Sequence, residues 1–294
     1  MGGNSPQGIA PSAASGLTVC MSVSVPGEFG AVLREWRNRR RLSQLELAIG
    51  AGTTQRHLSF LEQGRSTPGR EIVARLADSL QLTLRQRNAL LSTAGFAPGH
   101  PESPLDAPLL EPVRDALQHV LDGHLPYPAM VMDGFGGLVA ANSAFGLLTD
   151  GVAGHLLAPP VNVLRVALHP QGLAARIVNL DDWRRHVLHA LRERGPHPRL
   201  DELIEELEGY GMPTSGSRYT ESLGFAVPLH LRSDDGDVRL IATISTFVTA
   251  LDVTVSELRL EAFLPADRQT AAILARRHTA RADQGGSEIA VAVN

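Results

Sequence analysis

The chain has 294 residues, a net charge of −4 and 27 basic side chains, all of which are arginine. Without lysine it cannot form a Walker-type phosphate loop or a Schiff base with a carbonyl substrate or cofactor. Cys20 is the single cysteine, which excludes an internal disulfide and a thiolate zinc cluster. No apolar run approaches the about 20 residues that cross a bilayer, and no basic stretch precedes an apolar one at the N-terminus. The composition therefore predicts a cytoplasmic protein without a membrane partner.

The N-terminal third of the chain is predicted to consist of a leader followed by a helical domain. Residues 1–27 are rich in Gly, Ser, Pro and Ala, carry no charged side chain and are predicted to form a disordered leader. Residues 28–96 show five helical patterns, which predict one compact all-α domain. The patterns cover residues 28–40, 43–51, 54–62, 69–80 and 83–94.

The second and third helical patterns are joined by a tight turn. Ser43 with Glu46 forms a capping box, and Thr54 can cap the next helix. Leu58 and Leu61 are spaced to face a core, which leaves amide, guanidinium, hydroxyl and aromatic groups on the outer face. A DNA-reading helix uses such groups to contact base edges and phosphates. The predicted DNA contacts on and beside this helix are Thr54, Gln55, Arg56, His57, Ser59, Phe60 and Arg65.

The charge distribution supports a nucleic-acid partner for this domain alone. Residues 28–92 hold 11 arginines against six acidic residues, a net charge of +5, and the rest of the chain carries −9. This charge distribution is the one expected when a DNA-binding domain is joined to a second part of the chain that does not bind DNA. Arg40 and Arg41 end the first helical pattern and are predicted to contact the phosphate backbone.

The run TTQRHLSFLEQG at residues 53–64 resembles the Xre, or phage-repressor, type of helix-turn-helix. This resemblance implies binding to double-stranded DNA, with Gln44 holding a phosphate and supporting the reading helix. It also implies an internal ion pair between Arg37 and Glu62. One such domain presents a single short reading helix, so we expect a homodimer on a pseudo-palindromic operator. The alternative is an ordinary helical hairpin that binds no nucleic acid.

The pattern changes after the proline-dense stretch at residues 97–108, which predicts a semi-rigid linker. Residues 109–280 are predicted to form an α+β, sensor-like domain with an antiparallel sheet, a helical insert and its helices on one sheet face. Residues 281–294 are predicted to form a loose tail. Helical patterns cover residues 111–123, 143–150, 161–170, 180–194 and 200–209, and a last one starts at Asp267. Strand patterns cover residues 128–133, 137–142, 222–232, 238–249 and 258–264.

A second resemblance covers this C-terminal part. PAMVMD at 128–133, GLVAAN at 137–142 and the following AF are similar to the opening of a PAS-type sensor. NVLRVALHPQGL at 162–173, NLDDWRRHVL at 179–188 and the run from Phe247 to Asp267 resemble the ligand-binding region of the MmyB-like transcription regulators. This bacterial family joins an Xre-type helix-turn-helix to a PAS-related module. The resemblance implies a DNA-binding transcription regulator without enzymatic activity.

A PAS-type fold encloses a pocket between its sheet and its helices, where apolar ligands bind by default. Few aromatic residues and no convincing axial ligand argue against a flavin or a haem cofactor. A small apolar molecule such as a fatty acid fits a Met- and Leu-lined pocket best, with Arg or His at its mouth. The predicted ligand contacts are Met130, Met132, Leu138, Phe145, Trp183, His186, Phe225, Val227, Leu240 and Ile244.

Other chemistries remain as alternatives to ligand sensing. Asp182, His186 and His189 share one face of a helical pattern, so a metal site is conceivable there, although a surface or core pair of histidines is the commoner outcome. We therefore predict no metal. The alternative is a helix-turn-helix domain fused to an uncharacterised enzymatic or metal-binding domain. No nucleophile elbow or H-E-x-x-H run supports this alternative.

Overall fold

The computed structural model describes residues 28–195, 197–211 and 227–283. The chain divides into two compact units between Gly99 and His100, inside the segment that was predicted as a linker. No helix in the described ranges is both long and apolar enough to cross a membrane.

Five helices form the N-terminal unit, and each begins and ends within one residue of its predicted bounds. Every helix contributes a fully buried leucine to a single core: Leu33, Leu47, Leu58, Leu76 and Leu90. The predicted all-α helix-turn-helix region is therefore confirmed. The helices are α1 (Glu28–Arg39), α2 (Gln44–Gly50), α3 (Gln55–Glu62), α4 (Arg70–Ser79) and α5 (Leu84–Thr93).

Helices α1 and α3 approach each other closely because residue 30 is glycine. A Cβ atom on Gly30 would lie 2.6 Å from the carbonyl oxygen of Leu61 and 2.7 Å from that of Glu62. These distances are shorter than any side chain tolerates, so only glycine lets the two backbones meet here. The contact fixes the start of α1 against the end of α3.

The C-terminal unit is built on a five-stranded antiparallel sheet, as the sequence predicted. Its strand order is β2-β1-β5-β4-β3, so the last strand in the sequence lies in the middle of the sheet. Strand β5 pairs with β1 on one side and with β4 on the other. The strands are β1 (Ala129–Met132), β2 (Leu138–Ala141), β3 (Leu229–Leu231), β4 (Val238–Thr246) and β5 (Arg259–Pro265).

Most helices of this unit form the larger core on one face of the sheet. There they cover side chains such as Met130, Met132 and Phe263. The helices of the C-terminal unit are α6 (Glu111–Gly123), α7 (Gly146–Thr149), α8 (Val163–Leu168), α9 (Leu180–Arg192), α10 (Pro198–Gly209), α11 (Val253–Glu257) and α12 (Arg268–Asp283).

The prediction that the helices lie on one face of the sheet is wrong. Leu117 and Leu121 of α6 pack with Val131, Leu260 and Ala262 in a separate cluster on the opposite face. Strand β1 reads AMVM and is buried at all four positions, which is the pattern of a strand covered on both faces. Strand β1 therefore needs a helix on each of its faces.

The residues predicted as a linker are hydrogen-bonded within the unit to which each belongs. In the N-terminal unit, Gly99 N–H donates to Asn88 Oδ1 at 2.8 Å. In the C-terminal unit, Val253 N–H donates to the Pro101 carbonyl at 2.8 Å, and Ser103 N–H donates to Asp252 Oδ2 at 3.0 Å. These bonds anchor the chain on either side of the division.

Two predicted elements of the C-terminal unit differ from the structure. Residues 222–226, the first half of a predicted strand, lie outside the described residues, and the described part forms β3 at Leu229–Leu231. The short helix α11 was not predicted, because its β-branched sequence VTVSE favours a strand. Asp252 caps this helix by accepting from Val255 N–H at 3.3 Å.

Candidate functional site

The helix-turn-helix motif is held by the caps that the sequence contains. The capping box of α2 is present in both directions, with Glu46 N–H donating to Ser43 Oγ at 3.2 Å and Ser43 N–H donating to Glu46 Oε2 at 2.7 Å. Thr54 caps α3 by accepting from His57 N–H at 3.1 Å. His57 Nδ1 lies 2.9 Å from Thr53 Oγ1. Thr54 and His57, two of the predicted DNA contacts, therefore take part in the turn itself.

The outer face of α3 presents the other predicted base-reading side chains. Gln55 and Arg56 are exposed, while Ser59 and Phe60 are half-exposed. The Arg56 guanidinium lies 5.4 Å from the centre of the Phe60 ring, one helical turn further along. A cation placed over an aromatic face is attracted to it, and this contact reduces the rotamer freedom of the arginine before DNA binds.

A buried ion pair supports α3 from below. Arg37 Nε donates to Glu62 Oε1 at 2.6 Å and Arg37 Nη2 donates to Glu62 Oε2 at 3.1 Å, a bidentate arrangement. The Glu62 side chain is fully buried and that of Arg37 is 12% exposed. Gln44 Nε2 also donates to Glu62 Oε2, at 2.8 Å. The amide of Gln44 thus joins the start of α2 to the end of α3, while its contact with a DNA phosphate stays a prediction.

These contacts control the ionisation of Glu62. Burial raises the pKa of its carboxyl, but the hydrogen bonds from Arg37 and Gln44 and the charges of Arg37 and Arg34 outweigh burial and hold the pKa below its usual value. Glu62 is therefore a carboxylate in the folded protein. It connects α1, α2 and α3 at one point.

Three further arginines that were predicted to meet DNA flank the motif, and all three are exposed. Arg40 Nη2 donates to the Gln81 carbonyl at 3.2 Å. Arg41 adopts a left-handed backbone conformation with φ of 55°, at the point where the chain leaves α1. Arg65 follows the end of α3, and its N–H donates to the Phe60 carbonyl at 2.8 Å. Their charges remain available to a polyanion.

The C-terminal unit contains a cavity of about 50 Å³ in its larger core. Its wall consists mainly of apolar side chains from β1, β3, β5, α8 and α9 and from the turn before α7. Trp183 and Val187 line it from α9, Leu164 from α8 and Phe263 from β5. The cavity lies between the sheet and the helices, where the sequence predicted a pocket.

The ten predicted ligand contacts are distributed unevenly around this cavity. Met130, Phe145 and Trp183 line it. Met132, Leu138 and Leu240 belong to the same core without bordering the cavity, and Val227 is half-buried. His186 packs on the Trp183 ring with 5.6 Å between ring centres. Ile244 is 51% exposed and does not line the cavity, and Phe225 lies outside the described residues.

One polar lining residue, Glu261, was not predicted as a site residue. It lies on β5 opposite Met130 of β1, so both side chains point to the cavity face of the sheet. Burial raises the pKa of Glu261 to about 7, although Arg194 lowers it. The alternation of side chains along this strand shows that it has two faces, but it does not show that the face of Glu261 borders a cavity.

The conceivable metal site is not assembled by the structure. Asp182 is buried and forms an ion pair with Arg185 at 2.9 Å. Burial and the nearby His189 lower the pKa of His186. Among the described residues, no group of three or more His, Cys, Asp or Glu side chains is arranged to hold a metal ion.

Comparison with sequence families follows the same division into two domains. The model of the MmyB-like transcription regulator ligand binding domain matches residues 113–276, which is more than half of the chain. The chain belongs to the MmyB-like transcription regulators. A helix-turn-helix domain model matches residues 28–90 of this regulator. The protein is therefore a transcription regulator that joins a helix-turn-helix domain to a ligand-binding domain, as the sequence predicted.

Two solved structures each match a short part of this MmyB-like regulator. The clp gene regulator ClgR from Corynebacterium glutamicum is 27% identical over 24% of this chain and 87% of its own, with a TM-score of 0.21. The restriction-modification controller protein C.AhdI from Aeromonas hydrophila is 30% identical over 21% of this chain and 92% of its own, with a TM-score of 0.20.

An RNA-binding Light-Oxygen-Voltage receptor covers 87% of this chain and 62% of its own at 14% identity, with a TM-score of 0.27. With scores this low, the family assignment rests on the family models alone. None of the curated proteins compared with the chain matches it.

Proposed function

We propose that this MmyB-like regulator binds a specific operator in double-stranded DNA and that a small apolar ligand in the C-terminal cavity controls this binding. The observation that carries the proposal is the outer face of α3, where Gln55 and Arg56 are exposed and Phe60 is half-exposed. The Arg37–Glu62 pair supports this helix from below. Amide and guanidinium groups at the start of a reading helix match the base edges of the major groove.

The charge of the N-terminal domain supports DNA as its partner. The net charge of +5 over residues 28–92 favours a polyanion, whereas the rest of the chain is acidic. Arg40, Arg41 and Arg65 lie beside the motif and are exposed, as phosphate contacts require. A protein that regulates bacterial DNA works in the cytoplasm, so we place it there.

The lining of the cavity supports an apolar ligand. Aliphatic and aromatic side chains form nearly all of its wall, and an acyl chain, as in a fatty acid, matches that chemistry. The volume of about 50 Å³ is smaller than the about 150 Å³ of a cavity that holds benzene. A ligand of acyl length therefore requires the helices to move outward. Through such a movement, ligand occupancy changes the conformation of the C-terminal unit.

The DNA part of the proposal is tested by selection from random duplexes with the full chain, followed by titration of the selected operator. R56A should weaken binding to the operator at least tenfold. R75A is the matched control, because Arg75 lies on α4 and forms a surface pair with Glu71. Equal affinities of the native chain for the selected and a scrambled duplex would contradict sequence-specific binding.

The ligand part is tested by mass spectrometry of small molecules released when the purified protein is denatured. An apolar molecule at near-stoichiometric amount supports the proposal. A flavin or a metal ion would contradict it and would favour the enzymatic or metal-binding alternative.

A further inference from the structure

The ring of His57 has one nitrogen bound within the helix-turn-helix motif. His57 lies in the first turn of α3 and is half-exposed. Its Nδ1 atom lies 2.9 Å from Thr53 Oγ1, and its backbone N–H donates to Thr54 Oγ1 at 3.1 Å. Two consecutive threonines therefore hold the ring and the backbone of the same residue. Among the described residues, none forms a hydrogen bond with the second ring nitrogen, Nε2.

Thr53 is fixed by the turn and not by the reading helix. Its backbone N–H donates to the Ala48 carbonyl of α2 at 2.8 Å. Gly52, directly before it, has a φ of 61°, the left-handed conformation that glycine adopts without strain. The hydroxyl of Thr53 therefore has a set position at the end of the turn, and it ties the His57 ring to that position.

The contact with Thr53 decides which ring nitrogen carries the proton. A neutral imidazole has one N–H donor and one acceptor nitrogen, and the bond made by one nitrogen sets the role of the other. Among the described residues, Nδ1 of His57 is the one hydrogen-bond partner of the Thr53 hydroxyl. A half-buried hydroxyl donates its proton to an acceptor within reach. Nδ1 is then the acceptor, and Nε2 carries the N–H group.

DNA presents acceptors to such a group on its phosphates and on the guanine O6 and N7 atoms. We propose that Thr53 is a positioning residue of the DNA-binding surface, whose hydroxyl orients the His57 ring so that Nε2–H donates to one of these acceptors. Holding the ring before binding reduces the rotamer freedom that is lost in the complex. This inference rests on the proposed operator binding and adds a residue that acts on DNA through another.

The test is a double-mutant cycle on operator binding by the full chain. T53V keeps the shape of the side chain and removes its hydroxyl, so it should weaken binding about fivefold, the effect of one hydrogen bond. H57A should weaken binding at least as much. In the H57A background, T53V should have no further effect, because the hydroxyl acts through the ring. T53S keeps the hydroxyl and should bind like the native chain.

T93V is the matched control for the loss of a hydroxyl. Thr93 is also half-exposed, and its Oγ1 donates to the Leu90 carbonyl within α5 at 2.9 Å. T93V should leave the operator affinity unchanged. Urea unfolding curves establish that each variant is folded under the binding conditions. If T53V does not fold, T53A provides the same comparison.

The tautomer is tested separately by nitrogen NMR of the uniformly labelled chain at about pH 8, where an ordinary imidazole is neutral. The signals that disappear in H57A belong to His57. We expect the proton on Nε2, and in T53V this preference should weaken. A proton on Nδ1 in the native chain would overturn the proposal.

The scrambled duplex identifies the acceptor on DNA. A loss in T53V on the operator alone assigns it to a guanine, and an equal loss on both duplexes assigns it to a phosphate; either result supports the proposal. If the native chain binds both duplexes equally, the proposed operator binding is itself wrong. If the native chain prefers the operator, but T53V binds like the native chain or costs as much in the H57A background, the role of Thr53 is refuted.

Discussion

Arg37 and Glu62 are 25 residues apart in sequence, yet the Arg37 Nε atom lies 2.6 Å from Glu62 Oε1 at the centre of the DNA-binding domain. Glu62 is the last residue of the reading helix, and the pair joins that helix to α1. Gly30 brings the same two helices into backbone contact, and Gln44 adds a bond from α2. The orientation of the reading helix is thus fixed by the buried Glu62 carboxylate with its two hydrogen-bond partners and by the backbone contact at Gly30.

The first prediction concerns this pair. E62A should destabilise the N-terminal domain by about 3 kcal/mol, because it leaves the Arg37 guanidinium largely buried without its partner. R37M combined with E62L replaces both charges by apolar groups and should cost much less. The measurement is a urea unfolding curve followed by Trp36 fluorescence in a W183F background. An unchanged midpoint in E62A would show that the pair does not stabilise the domain.

The second prediction concerns the contact between Arg56 and Phe60. If the ring holds the guanidinium ready for a base edge, R56A and F60A should each weaken operator binding by about 1–3 kcal/mol. The double variant should lose less than the sum, since both substitutions remove the same stacked arrangement. A fully additive loss would show that the two side chains act independently.

A separate prediction concerns Arg40 and Arg41, which are expected to contact phosphates and not base edges. R40A and R41A should weaken operator and random duplexes alike, and each should reduce the slope of log affinity against log salt by about one. A sequence-dependent loss in these variants would place Arg40 or Arg41 at a base edge instead.

The N-terminal domain was predictable because its signals are local. The capping box of Ser43 and Glu46, the cap at Thr54 and the helical spacing of Leu58 and Leu61 each act within a few residues. Local propensity and tertiary packing agree there, so the helix bounds follow from the sequence.

The cavity was less predictable because its lining depends on which strand is central. Leu260 and Ala262 alternate with Glu261 along β5, and α6 covers the face of Leu260 and Ala262 while α8 and α9 cover the other face. Glu261 therefore borders the cavity, which no period-2 pattern in a single strand reveals. Ile244 is the opposite case. It lies beside Glu261 on the same face of the sheet, yet this apolar side chain is half exposed. The order of the strands in the sheet, and not the composition of one strand, decides whether these two positions are buried or exposed.

The third prediction is that the regulator forms a homodimer. A single reading helix makes few base contacts, and a two-fold pair places two of them about 34 Å apart on a pseudo-palindromic site. Because the +5 domains repel each other without DNA, the acidic C-terminal part should contribute to the contact. Light scattering at micromolar concentration should give twice the chain mass of 31.5 kDa. A mass of one chain that does not rise with concentration would refute a stable dimer.

The fourth prediction is a loss of stability with rising pH that originates at Glu261. Burial raises the pKa of this carboxyl to about 7 in the folded protein, whereas an unfolded glutamate titrates near pH 4.3. Between these values the folded state holds a proton that the unfolded state has released. The contribution is therefore fully present below about pH 4, falls as the pH rises toward 7, and stays constant above that. A shift of this size corresponds to about 4 kcal/mol.

Other groups titrate in the same range, so the measurement is a difference between variants. His124 and His186 have pKa values lowered by burial, which gives them the opposite dependence, with stability that rises as the pH increases. The free energy of unfolding should therefore be compared between the native chain and E261Q from pH 4.5 to 8. E261Q should gain stability relative to the native chain as the pH rises, while E205Q, altered at an exposed position, should follow the native curve. Parallel curves for the native chain and E261Q would mean that the Glu261 carboxyl is ionised in the folded protein as readily as in water.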